Sequence, residues 1–152
     1  MYSPITPQQE AALVEAIRKA ELATSGEIRV HLEEECPTPE PMDRAAHVFG
    51  QLGMHRTAQR NGVLFYVAWA SRQFAVIGDA GINAAVPDDF WERTKEVVLS
   101  YFRRQQYVQG LEQGIQLAGE QLRHYFPHNA ATDQNELDNS ISFGGPPKPP
   151  RS

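Results

Sequence analysis

Cysteine is almost absent from this chain: Cys36 is the only one in 152 residues. One thiol cannot close an intramolecular disulfide or build a thiolate metal cage, and an inert side chain is its ordinary state. Long hydrophobic runs are also lacking. The longest, Val63 to Ala70, falls far short of the ~20 residues a membrane-crossing helix needs, and Met1-Tyr2-Ser3-Pro4 shows no basic stretch leading into an apolar one. The expectation is a soluble, cytoplasmic protein with no membrane segment of its own. Positive charge is in deficit as well, with 14 Lys and Arg against 19 Asp and Glu. A net charge of −5 argues against a nucleic-acid binder, which needs a basic face to displace counterions. The Arg103-Arg104 pair reads as a solvated helix face. The five histidines (31, 47, 55, 124 and 128) form no zinc pattern, since Pro127 interrupts the pair at 124 and 128. There is no Walker loop, nucleophile elbow, dinucleotide fingerprint or cysteine phosphatase loop.

What is present suits one domain with a substantial core. Thr6, Pro7 and Gln9 form a capping box that opens a helix carrying Leu13, Ile17, Ala20 and Thr24 on one stripe, with Gly26 expected to close it in the left-handed conformation. Glu27 to Glu33 alternates strictly, predicting a strand with one buried face. Glu33-Glu34-Glu35 is read as a charged strand exit, with a cation site as the rarer alternative. After Pro37, Pro39 and Pro41 a helix is predicted from Met42 to Leu52, with Met42, Ala45, Ala46, Phe49 and Leu52 inward and Gly53 ending it. Val63 to Trp69 is apolar on both faces and belongs mid-sheet; Gln73 to Gly78 completes a hairpin with it. Two helices, with stripes from Phe90 to Phe102 and from Val108 to Tyr125, finish the fold. Trp69 and Trp91 are assigned to the core. Residues 1–128 form the domain, and 129–152 form an extension ordered only in part, with a disordered proline-rich end.

Strand one, helix two and strand two make a parallel crossover, expected to be right-handed. The third strand returns antiparallel, so its end lies beside the beginnings of the other two. Ser25-Gly26, Asn61-Gly62 and the loop from Gly78 to Asp89 should converge there. This is the opposite rim from the usual ligand crevice of parallel sheets. The loop holds Asp79, Asn83, Asp88 and Asp89, oxygen donors of the kind calcium prefers, without the spacing of an EF-hand. Equally, Asp88 or Asp89 can serve as a helix cap and Asp79 as a turn acceptor.

Several segments resemble one family. Thr24-Ser25-Gly26-Glu27-Ile28-Arg29-Val30, Arg60-Asn61-Gly62-Val63-Leu64, Ile77-Gly78-Asp79-Ala80-Gly81-Ile82 and the stretch from Phe102 to Gly114 are together similar to the TPM domain. Asn135 to Gly144 resembles the tail of a short, soluble bacterial branch. The resemblance implies an α/β/α sandwich, Rossmann-like, with a small mixed sheet. It further implies a calcium site using Asp79, Asn83, Asp88 and Asp89, with Ser25 and Gly26 contributing from the backbone. A calcium-binding accessory domain acting through unnamed protein partners, monomeric and without robust catalysis, is the leading expectation. The alternatives are a weak metal-assisted acid phosphatase, an activity attributed to thylakoid relatives, and a metal-free structural partner-binding domain.

Overall fold

The computed structural model describes residues 5–128 and 141–144. Helix α1, Pro7–Glu21, begins with the capping box: Thr6 Oγ1 accepts from Gln9 N at 3.1 Å, and Thr6 N donates to Gln9 Oε1 at 2.8 Å. It stops short of Gly26, its last turn closing through Leu22 in a right-handed conformation. Gly26 does not take the expected left-handed φ; among the described glycines only Gly53 does. Gly26 is there for space, because a Cβ would lie 2.5 Å from Leu122 Cδ2.

Strand β1, Glu27–Glu33, pairs parallel with β2, Gly62–Ala68, across helix α2, Pro41–Gln51. Strand β3, Gln73–Gly78, pairs antiparallel with β2, so the expected crossover and hairpin are both present. Trp69 falls just past β2, half-buried against the core. Strand β4, Ser142–Gly144, adds parallel to the outer side of β1, giving the order β3-β2-β1-β4. It is the described part of the extension. The proline-rich end expected to be disordered lies outside the described residues.

Alternation along each strand sends side chains to two different layers. Ile28, Val30, Leu32, Val63, Phe65, Val67, Phe74 and Val76 face α1, α4 (Phe90–Phe102) and α5 (Tyr107–Tyr125) in the main core. Leu64, Tyr66, Ala68 and Ala75 face α2. The molecule is therefore the expected three-layer α/β/α sandwich. Helix α2 is rotated relative to its predicted stripe: Ala45, Val48 and Phe49 are buried, while Met42 is 47% exposed and Ala46 points outward. The reason is Arg44, which turns inward to a carboxylate on β1 and carries positions 45 and 48 with it. The loop predicted from Gly78 to Asp89 is a loop only in part. Residues Ala80–Ala85 form a short helix, α3, with Asp79 at its N-cap.

Candidate functional site

The antiparallel return of β3 brings Gly78 beside Val63, while Glu27 pairs with Gly62, so three chain segments meet at one rim of the sheet. Asp79 sits at this junction and is only 7% exposed. Arg60 forks it, Nε donating to Oδ2 and Nη2 to Oδ1, each at 2.7 Å, and Ala80 N donates to Oδ1 at 2.7 Å. Burial pushes the Asp79 carboxyl up, but Arg60 and the Ala80 amide outweigh it and hold the group below the usual carboxylate range. The guanidinium itself is half in solvent, with 51% of the side chain exposed. Arg60 takes a left-handed φ of 53°, costly for a side chain with a Cβ. Its carbonyl repays that by accepting from Gly81 N at 2.8 Å and Ile82 N at 3.3 Å.

The other expected residues divide into two groups. Ser25 Oγ accepts from Gln59 Nε2 at 3.0 Å and from Asn61 Nδ2 at 3.4 Å, joining the first two segments, and Gly26 N donates to Thr24 Oγ1. Asn83 is a strut: its Nδ2 donates to Gly78 O and its Oδ1 accepts from Trp91 Nε1, both at 2.8 Å. This ties the start of α4 to the rim. Asp88 and Asp89 stay in solvent on the turn before α4. Asp89 is the N-cap residue of α4 but makes no side-chain capping bond, pairing instead with Arg93 at 3.2 Å. Among the described residues no three His, Cys, Asp or Glu side chains stand close enough to share a metal. Asn61, only 1% exposed, leaves its Oδ1 buried without a hydrogen-bond partner.

Sequence reading missed a second carboxyl group at this rim. Glu21, at the end of α1, accepts from Ile28 N at 2.7 Å and hydrogen-bonds Glu27, itself 2% exposed. Burial first, and the neighbouring Glu27 charge after it, push Glu21 up to about 8. A carboxyl raised from 4.5 to about 8 contributes stability that is complete below pH 4.5 and lost as pH climbs through 8. Glu21→Gln should flatten this loss, which in the native protein runs at roughly 1.4 kcal/mol per pH unit within the window. Urea unfolding between pH 5 and 9 checks it; parallel profiles for the two proteins would refute a raised Glu21 pKa.

The opposite rim is built differently. Glu33, expected to be a solvated exit, has no exposed side-chain surface. Arg44 forks it, Nε donating to Oε2 and Nη2 to Oε1, each at 2.9 Å; Tyr66 Oη donates to Oε2, and His31 Nε2 lies 3.3 Å from Oε1. Burial opposes ionisation of Glu33, yet these hydrogen bonds hold its carboxyl below the usual range. Alternation along β1 groups these polar positions on one face, but the expectation of a single buried face fails, because Glu27, His31 and Glu33 are buried as well as Ile28, Val30 and Leu32. What covers that face, α2 and β4, is long-range and left no local signal.

No helix among the described residues is long and apolar enough to cross a membrane. No curated protein matches the sequence. The fold is similar to the solution structure of the BA42 protein from the psychrophilic bacterium Bizionia argentinensis, at 45% identity and a TM-score of 0.87, covering 95% of this chain and 98% of that one. It also resembles the solution structure of the N-terminal domain of a protein from P. gingivalis, at 20% identity and a TM-score of 0.64, covering 84% of each chain. The N-terminal domain of cg2496 from Corynebacterium glutamicum is a third, at 12% identity and a TM-score of 0.62, covering 78% of this chain and 74% of that one. These last two likenesses concern the fold alone. The TPM domain model matches residues 3–121, most of the chain, and the chain belongs to the TPM domain family.

Proposed function

We propose that this protein is a calcium-binding accessory domain of the cytoplasm, acting through protein contacts and not through turnover. The observation that carries the reading is Asp79. A nearly buried carboxylate requires a positive partner, and here that partner is a half-exposed arginine able to swing into solvent. A hard cation is the natural replacement, and the neighbouring segments carry oxygen donors. Asn61 Oδ1 is buried and unpartnered, and Ser25 Oγ lies beside it. The carboxylates of Asp88 and Asp89 remain in solvent on a turn anchored to the rim through Trp91 and Asn83. A calcium site with Asp79 as the principal ligand would need Arg60 to withdraw and the Asp88–Asp89 turn to close on the rim, since no three acidic or histidine side chains among the described residues already stand together. Bound there, the ion would supply positive charge joining the Asn61 and Asp79 segments.

Arg60 is then a competitor of the ion. Calcium should raise the melting temperature of the native protein; at one hundred times the dissociation constant the gain is about 2.7 kcal/mol. Asp79→Asn should abolish the rise, and Arg60→Gln should produce it at lower calcium. No shift at millimolar calcium in either the native protein or Arg60→Gln would end the proposal. The phosphatase alternative asks more of this rim, because the same Arg60 would have to leave Asp79 to the ion and then clamp a phosphate. Hydrolysis of p-nitrophenyl phosphate that requires calcium and vanishes in Asp79→Asn would favour catalysis instead.

A further inference from the structure

Strand β4 meets β1 through three residue pairs, His31 with Ser142, Leu32 with Phe143 and Glu33 with Gly144. Each tail side chain is treated differently by the body of the protein. Ile141 is 5% exposed and belongs to the main core. Ser142 Oγ stands 2.8 Å from His31 Nδ1 and 3.2 Å from the Val30 carbonyl oxygen. Phe143 is 36% exposed. Gly144 lies so close over β1 that a Cβ would be 2.5 Å from Glu33 Oε1 and 2.7 Å from His31 Cε1. Neither neighbour can yield readily: Glu33 is forked by Arg44 and accepts from Tyr66, and the His31 ring stacks on Tyr66 at 5.9 Å.

A sheet edge that offers backbone hydrogen bonds together with side-chain sites at alternate positions is how proteins recognise extended peptides. Here the sites demand an aliphatic residue, then a hydroxyl, then any residue, then glycine. The remainder of the β1 edge is closed differently, Ile28 N donating to the Glu21 carboxyl, which confines the acceptor to His31–Glu33. We propose that the outer edge of β1 at His31–Glu33 is a recognition site for an extended peptide reading aliphatic-Ser-x-Gly, running parallel to β1, and that residues 141–144 are its ligand in cis. It lies at the far rim from Asp79 and does not depend on calcium.

A tethered segment competes at an effective concentration in the millimolar range, so a peptide added in trans is best read against a weakened tail. Gly144→Val in the full chain removes the close approach. Ile141→Asp is a second variant, which unseats the tail at the core and leaves residues 142–144 and the β1 edge chemically intact. The probe is a synthetic peptide with the sequence of residues 137–146, followed through the His31 ring and Leu32 amide signals of the labelled protein. In either variant the peptide should restore native-like signals, and a peptide with valine in place of the glycine corresponding to Gly144 should bind at least tenfold more weakly. Concentration-dependent pairing of the native protein that Gly144→Val abolishes would support the same site, with a second copy as peptide donor. Equal binding of both peptides, or no binding by folded Ile141→Asp, would overturn it.

Discussion

Arg44→Met is expected to destabilise the protein by about 3–5 kcal/mol, the usual loss when one partner of a buried ion pair is removed. Glu33 would keep its buried carboxylate and lose both guanidinium hydrogen bonds, retaining only Tyr66 and His31. Against a total stability of roughly 5–15 kcal/mol for a domain, that change shows directly in the urea midpoint. The pH dependence supplies a sharper test. With Arg44 present, Glu33 has a depressed folded pKa, so its contribution stands above the unfolded value and is lost as pH falls through the folded one. Without Arg44, burial acts unopposed and the folded pKa moves above the unfolded one. The sign then inverts, and the deficit of the variant should shrink toward acid. Glu33→Gln on the Arg44→Met background should recover part of the loss at neutral pH, because a neutral amide still accepts from Tyr66 and leaves no buried charge. A deficit independent of pH, with no recovery in the double variant, would mean that the guanidinium acts only by filling space.

Gly81→Ala should have an effect of similar size at the other rim. The added Cβ would lie 2.6 Å from the Arg60 carbonyl oxygen and closer still to that of Gln59. Both are backbone atoms, so the strain cannot be relieved by a side-chain rotation. Overpacking of this kind costs roughly 1–3 kcal/mol, and the amides of Gly81 and Ile82 would also lose the Arg60 carbonyl, at about 1 kcal/mol each. A loss of around 3 kcal/mol, or roughly 10 °C in melting temperature for a chain of this length, should therefore accompany loss of the calcium response, since α3 carries Asp79 at its N-cap. Gly50→Ala is the internal control. Nothing lies within 4 Å of its Cβ position on α2, and it should gain roughly 0.5–1 kcal/mol. A neutral Gly81→Ala would show that α3 is free to slide on the Gln59–Arg60 segment.

The fold was largely legible from local pattern. The α1 cap, the parallel crossover, the hairpin and the two closing helices follow from capping chemistry and periodicity, and the convergence of three segments follows from the return of β3 alone. What escaped notice depends on partners distant in sequence. Glu33 looks like a solvated acid because Arg44 and Tyr66 are distant in the chain, and the same arginine explains why Val48 turns inward in place of Met42 and Ala46. Helix α3 was invisible because six residues, with glycine second, carry fewer than two helical periods. Gly26 looked like a helix terminator, and only the position of Leu122 shows that its smallness is what counts. At the candidate site, spacing suggested the acids, but the partner of Asp79 is an arginine 19 positions away.

The sheet thus carries an arginine–carboxylate fork at each rim, alike in chemistry and unlike in solvent access: 51% of the Arg60 side chain is open to water, against 18% for Arg44. Lability should follow that difference. The guanidinium protons of Arg60 should trade with deuterated solvent almost as fast as those of a free arginine, while those of Arg44 wait for the sheet edge to open. One molecule therefore contains both an open counter-ion and an enclosed one, and exchange at Arg44 provides a clock for edge opening against which exchange at Arg60 can be timed.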